Sequence, residues 1–180
     1  MGIGILVGAA WGFAEATLFF LVPDIGLTFL AILAPGQAWA GCASAIAGAL
    51  VGGAVMYAWG GRATSRVDEV LLRLPAIDRK EITAVRESVG RSGFGALFLG
   101  PLRGTPYKLY AVESGRRGLP FVRFLVVSIP ARGIRFVIAT ALALWLAAGP
   151  LSAWSPASQA ALALGFWIVF YAAYFRLKGR

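Results

Sequence analysis

Histidine is absent from this sequence, cysteine occurs once, and only eight residues in 180 are acidic. Without histidine there is no His-ligated metal site, no His-dependent lipid phosphatase chemistry and no Ser-His dyad. The single cysteine, Cys42, excludes an intramolecular disulfide and argues against a thiolate metal centre, so neither a metal nor a cofactor is expected. Within a run of small residues it reads as an apolar packing residue. Charge of either sign is scarce: 14% of residues are charged against 59% hydrophobic, with a mean hydropathy of +0.76. That balance excludes an ordinary soluble domain. The net charge of +9 is not a nucleic-acid footprint either. In the connector 62–91 seven basic residues are interleaved with five acids, Asp68, Glu69, Asp78, Glu81 and Glu87. No basic cluster of a secretory signal heads the chain, and the first residues are read as mature structure.

Long uncharged runs are what the sequence does have. Residues 38–61, 136–154 and 157–175 carry no charge, and roughly 20 apolar residues suffice to cross the hydrocarbon as a helix. The expectation is one all-α, polytopic integral membrane domain, 1–180. Basic loops mark the cytoplasmic side: the connector 62–91, Arg116 to Arg123, and the tail 176–180 with Arg176, Lys178 and Arg180. Residues 35–37 and 149–158 lack charge and are read as outside. The spans at 38–61 and 157–175 then run inward, and the C-terminus is cytoplasmic.

Two further apolar stretches are too short to span and adjoin a Pro/Gly break. Ile25 to Ala34 follows Pro23-Asp24, and Ser92 to Leu102 precedes Arg103. Non-helical backbone at membrane depth is tolerated only where protein or water satisfies its polar groups. Residues 3–34 are therefore expected to form a re-entrant hairpin from outside, tipped near Pro23. Residues 92–115 would form a second from the cytoplasm, broken at Pro101, Gly104 and Pro106. Each is followed by a span (38–61, and a kinked segment 119–154 containing the helix 136–154), giving an inverted repeat with breaks meeting near the midplane. Such paired interruptions point to a transporter site. The competing reading is that residues 3–22 simply span.

Glu15 carries the strongest signal. It interrupts the apolar run 2–22, and a charge near the bilayer centre costs about 3 kcal/mol on insertion scales. It persists by facing a cavity, taking a partner or binding something. Gly4, Gly8 and Gly12 repeat at four-residue spacing, which lets helix backbones approach. Glu15 falls close to that stripe, facing protein rather than lipid. Intramolecular packing is the first reading of the stripe, and a homodimer seam the alternative. Glu15 and Asp24 are candidate proton-coupling groups, since a carboxyl that moves between apolar and cationic surroundings changes its proton affinity. Arg103 and Lys108, in Gly-Pro-Leu-Arg-Gly-Thr-Pro-Tyr-Lys (100–108), are candidate ligands for an anionic head group. They are expected to converge with Glu15 and Asp24, where the alternative role is to neutralise them. Arg132 and Arg135, three apart at the start of an outward helix, either guide a phosphate or snorkel at the interface. Arg116, Arg117 and Arg123 read as headgroup anchors.

The connector reads as amphipathic helix over 64–74, ended by Pro75, then a second helix capped by Asp78 with Glu81. Glu69–Arg73 and Glu87–Arg91 are expected as i, i+4 pairs.

Gly-Thr-Pro-Tyr-Lys-Leu-Tyr-Ala-Val (104–112), Phe-Val-Arg-Phe-Leu (121–125) and Ala-Arg-Gly-Ile-Arg-Phe (131–136), with Gly-Phe-Ala-Glu-Ala-Thr-Leu (12–18) and Pro23-Asp24, together resemble the DedA family. This family is also called SNARE-associated or VTT-domain; the likeness is to its short YqaA-like branch and covers most of 10–140. It implies paired re-entrant hairpins, a bacterial inner membrane location, and flippase-type transport of polyprenyl-phosphate carriers such as undecaprenyl phosphate, or lipid scrambling as in eukaryotic relatives. The family's acidic positions map to Glu15 and Asp24, and its basic ones to Arg103, Arg132 and Arg135. The chain departs from the family in lacking a long helix before the first hairpin and in having Pro-Leu-Arg at 101–103. The function expected is transport of an anionic lipid head group. Alternatives are a passive phospholipid scramblase, a small-solute permease and a non-transporting membrane scaffold. No enzyme is expected, a Ser-Lys dyad at Lys108 being the one nucleophilic arrangement left open.

Overall fold

The structure is a computed structural model that describes residues 2–62, 64–75 and 77–178. Ala63 and Ala76 of the connector, and Gly179 and Arg180 of the basic tail, lie outside the described residues. Among those described, all regular structure is helical: α1 (Ile3–Ala16), α2 (Asp24–Leu33), α3 (Ala38–Arg62), α4 (Thr64–Leu71), α5 (Arg79–Ser92), α6 (Phe94–Leu102), α7 (Tyr107–Arg116), α8 (Phe121–Ala148) and α9 (Pro156–Lys178), with a 3-10 turn at Pro35–Gln37 before α3. Three helical segments, Pro35–Arg62, Phe121–Ala148 and Pro156–Leu177, are long and apolar enough to cross a membrane. Large apolar side chains such as Val51, Val126, Ile138, Trp145, Phe166 and Val169 stand exposed along them. Such a surface fits a membrane-embedded protein, because soluble monomers rarely expose extended apolar area.

The central element is α3, whose small residues bring two other helices to backbone contact. A Cβ at Gly8 would collide with the Gly41 carbonyl oxygen, and one at Gly12 with that of Ala45. From the facing side, a Cβ at Gly48 would collide with the Ala9 carbonyl. The stripe 4, 8, 12 is thus filled within the molecule, Gly8 and Gly12 by the first half of α3 and Gly4 by Leu30 and Gln37. The second half of α3 holds α7 the same way: a Cβ at Gly60 meets the Val112 carbonyl, and one at Gly115 meets that of Tyr57. Against this pair of close contacts α8 packs across α2, α3 and α6, while α9 rests chiefly on α2.

Several boundaries differ from the sequence expectation. Helix α8 begins at Phe121 and runs 28 residues through Pro130, instead of starting near Phe136 and reaching Trp154; residues 149–154 form turns. Arg132 and Arg135 are consequently mid-helix residues. The first connector helix stops at Leu71, short of 74, while the second is capped as expected, the Asp78 carboxylate accepting from the Glu81 amide at 2.7 Å. The pairs Glu69–Arg73 and Glu87–Arg91 are not among the ion pairs of the described residues. Buried Glu113 instead accepts from Arg116 and Arg117, each at 2.9 Å, with Arg86 at 3.6 Å; Asp68 takes Arg86 at 2.9 Å and Arg116 at 2.8 Å. Arg116 and Arg117 therefore fasten the connector to α7. Arg123 lies over the Phe94 ring at 4.8 Å.

Candidate functional site

The chain leaves helical geometry between α1 and α2, at residues 17–23, and again between α6 and α7, at 103–106. Both breaks need partners for their backbone groups. In the first, the Trp11 indole donates to the Leu21 carbonyl at 3.0 Å, the Lys108 ammonium donates to the Phe19 carbonyl at 2.6 Å, and the Val22 amide donates to the Tyr171 hydroxyl at 3.0 Å. Side chains from α1, α7 and α9 thus hold one loop. In the second, tight turns serve: the Arg103 amide donates to Gly100 at 3.0 Å and the Gly104 amide to Pro101 at 3.2 Å. Gly104 has φ +90°, a left-handed conformation that favours glycine. Pro101 lies in the last turn of α6 and Pro106 caps α7, so both prolines sit where a helix stops or starts.

The two acids flanking the first break are buried, Glu15 at the end of α1 and Asp24 at the start of α2. Both are answered from α8. Arg132 pairs with Glu15, and Arg135 pairs with Asp24 at 2.6 Å. A spacing of three puts the two arginines on one helix face, and each meets the acid on one side of the break. Arg132 is 3% exposed. Its guanidinium also lies over the rings of Tyr107 at 5.1 Å and Phe136 at 4.9 Å, a cation–π arrangement. Its Nε–H has no hydrogen-bond partner among the described residues. Tyr107 is fixed in turn by donating to Ser128 Oγ at 2.8 Å, and Gly53 leaves room for its ring. The Asp24 pair is less enclosed, since the Arg135 side chain is 35% exposed.

These groups line a cavity of about 900 Å³ bounded by α2, α8, α9 and the 101–108 turn. Its walls are apolar and aromatic away from the ion pairs. The residues that α9 contributes, from Gln159 through Leu162, Phe166 and Phe170 to Tyr174, recur at three and four along one face. The groove therefore follows α9 for most of its length and has charge only partway along.

Of the residues singled out from sequence, Glu15, Asp24, Lys108, Arg132, Arg135, Pro101, Gly104 and Pro106 all line this groove, and Pro23 is buried beside Asp24. Arg103 does not: it is exposed and lines a separate, smaller pocket against α5. The expected meeting of Arg103 with Glu15 is replaced by that of Arg132, because Arg103 sits at the outer edge of its turn while α8 passes directly across the acids. Lys108 contacts a carbonyl of the first break rather than a carboxylate or a serine. Sequence reasoning missed Tyr107, Trp11 and Tyr171; the i, i+3, i+4 aromatic stripe of 166–175 was the legible trace of the last. Among the described residues no cluster of three or more acidic or thiol groups suits a metal.

No protein-family model, curated protein or solved structure matches this chain.

Proposed function

We propose that this chain is a DedA-like membrane transporter that moves an anionic lipid head group, of the polyprenyl-phosphate class, past the Glu15–Arg132 and Asp24–Arg135 pairs while the apolar tail stays in the groove along α9. In this reading α1–α2 and α6–α7 are re-entrant hairpins inserted from opposite faces, forming an inverted repeat about α3, and the protein resides in a bacterial inner membrane with its C-terminus cytoplasmic. The observation that carries it is the juxtaposition of two ion pairs, each on a buried carboxylate, with broken backbone on the wall of an apolar groove. A purely structural ion pair needs no cavity; a solute pore needs no aromatic stripe such as that of 166–175 along its wall. The pairing also suits exchange. A phosphate that enters competes with Glu15 for Arg132, whose Nε–H is spare, and the displaced carboxyl takes a proton. Proton coupling follows from that competition.

Proteoliposomes holding a fluorescent polyprenyl phosphate test the reading. Wild-type protein accelerates movement between leaflets, and the neutral double variant Glu15→Gln with Arg132→Gln returns it to the protein-free rate. Flux that survives the double variant defeats the proposal. Flux that ignores a proton gradient favours the passive scramblase, which uses the same groove without carboxylate titration.

A further inference from the structure

The small pocket beside Arg103 serves no part of that scheme. It has a volume of about 350 Å³ and lies between α5, α6 and α7. We infer that it is a second anion site, which binds a phosphate monoester group, lipid-borne or free, between Arg91 and Arg103.

Three observations support this. First, Arg91 and Arg103 approach the pocket from different elements, the end of α5 and the turn after α6, and neither forms an ion pair or a side-chain hydrogen bond among the described residues. Both side chains are exposed and free to turn toward the pocket, and guanidinium binds phosphate through paired N–H groups. Second, Tyr110 is 5% exposed, lines the same pocket, and its hydroxyl has no hydrogen-bond partner among the described residues. The hydroxyl is not among the buried atoms left without a partner, so it opens onto the pocket, where a phosphate oxygen can accept its O–H. Third, the ring reaches this position only because residue 100 is glycine: a Cβ there would collide with the Tyr110 ring and hydroxyl. Glu81 is the one carboxylate on the lining, so two cations and one acid leave a local charge suited to a small anion. Thr105 lines this pocket and the groove alike, so a single turn separates the two sites. The assignment does not depend on transport through the groove.

The test uses the full chain in detergent with two probes: labelled inorganic phosphate by equilibrium dialysis, and phosphatidic acid by native mass-spectrometric titration. Wild-type protein binds at least one. Arg103→Gln weakens that binding at least about tenfold and Tyr110→Phe about threefold. Arg103 is exposed and unpartnered, so the variant keeps its fold, which circular dichroism verifies. Arg73→Gln with Arg79→Gln, which removes two charges outside the pocket, changes binding by less than about twofold. The Glu15→Gln with Arg132→Gln variant still binds, which separates this site from the groove. Binding of phosphate alone assigns a free anion, and binding of phosphatidic acid alone assigns a head group. The inference is overturned if neither probe binds, if Arg103→Gln matches wild type, or if the outside-charge variant loses as much as Arg103→Gln.

Discussion

Single residues decide how costly the central charges are. Glu15 and Arg132 are both nearly excluded from solvent, so removing either alone leaves an uncompensated charge, a change that costs about 3–5 kcal/mol in buried pairs. Glu15→Gln is therefore expected to lower the unfolding temperature in detergent markedly. The double variant Glu15→Gln with Arg132→Gln recovers most of the loss, since two amides of similar shape replace the pair. Thermal unfolding of the four proteins in a mutant cycle measures the coupling; additive losses would mean that the pair is not a unit. Arg135→Gln is expected to cost less than Arg132→Gln, because the Arg135 side chain is 35% exposed against 3% for Arg132, so its charge is less completely desolvated. Asp24 and Glu15 were visible in the sequence as charges in an apolar run. Their partners were not, since Arg132 and Arg135 lie more than a hundred residues further along the chain and carry no local sign of which acid they meet.

At the scale of elements, glycine spacing is the controlling variable. Helices α1 and α7 touch α3 through backbone atoms, so the contact has no side chain that could turn aside. Gly12→Leu is expected to destabilise the protein by at least about 3 kcal/mol and to abolish a monodisperse peak in size-exclusion chromatography. Gly36→Leu, at a position with nothing within 4 Å of an added Cβ, leaves both readouts unchanged. A tolerated Gly12→Leu would sink the packing account. The four-residue repeat was readable beforehand, because a helix of 3.6 residues per turn aligns such positions. The start of α8 was not. Pro130 and two arginines read as a kink at the start of an outward helix, yet a helix whose other backbone groups are bonded accommodates one missing N–H, and buried acids give the arginines reason to lie mid-helix.

For the molecule as a whole, sidedness is the consequence that reaches furthest. Cys42 is the single cysteine of the sequence, so a Cys42→Ala background carries no competing thiol. In it, single cysteines at Gly36 and Ser152 are expected to react with a membrane-impermeant maleimide from one face of sealed vesicles, and cysteines at Glu87 and Arg176 from the other. Labelling of all four from one face would refute three crossings by α3, α8 and α9, and with them any path across the bilayer. The connector belongs to this scale too. Asp68, Arg86, Glu113, Arg116 and Arg117 tie α4 and α5 to the end of α7, so the amphipathic connector is bolted to the buried helix.

By itself the amino-acid order determined what is local and periodic. Uncharged length made the long helices, proline and glycine made the two breaks, four-residue glycine spacing made the face that α3 fills, and the rarity of acids singled out Glu15 and Asp24. Tertiary structure alone decided which cation answers each acid, that Arg103 turns toward a pocket of its own, and that α9 closes a groove over the pairs. The reason is physical: helix formation follows from neighbours within a turn or two, whereas an ion pair depends on where helices distant in sequence cross.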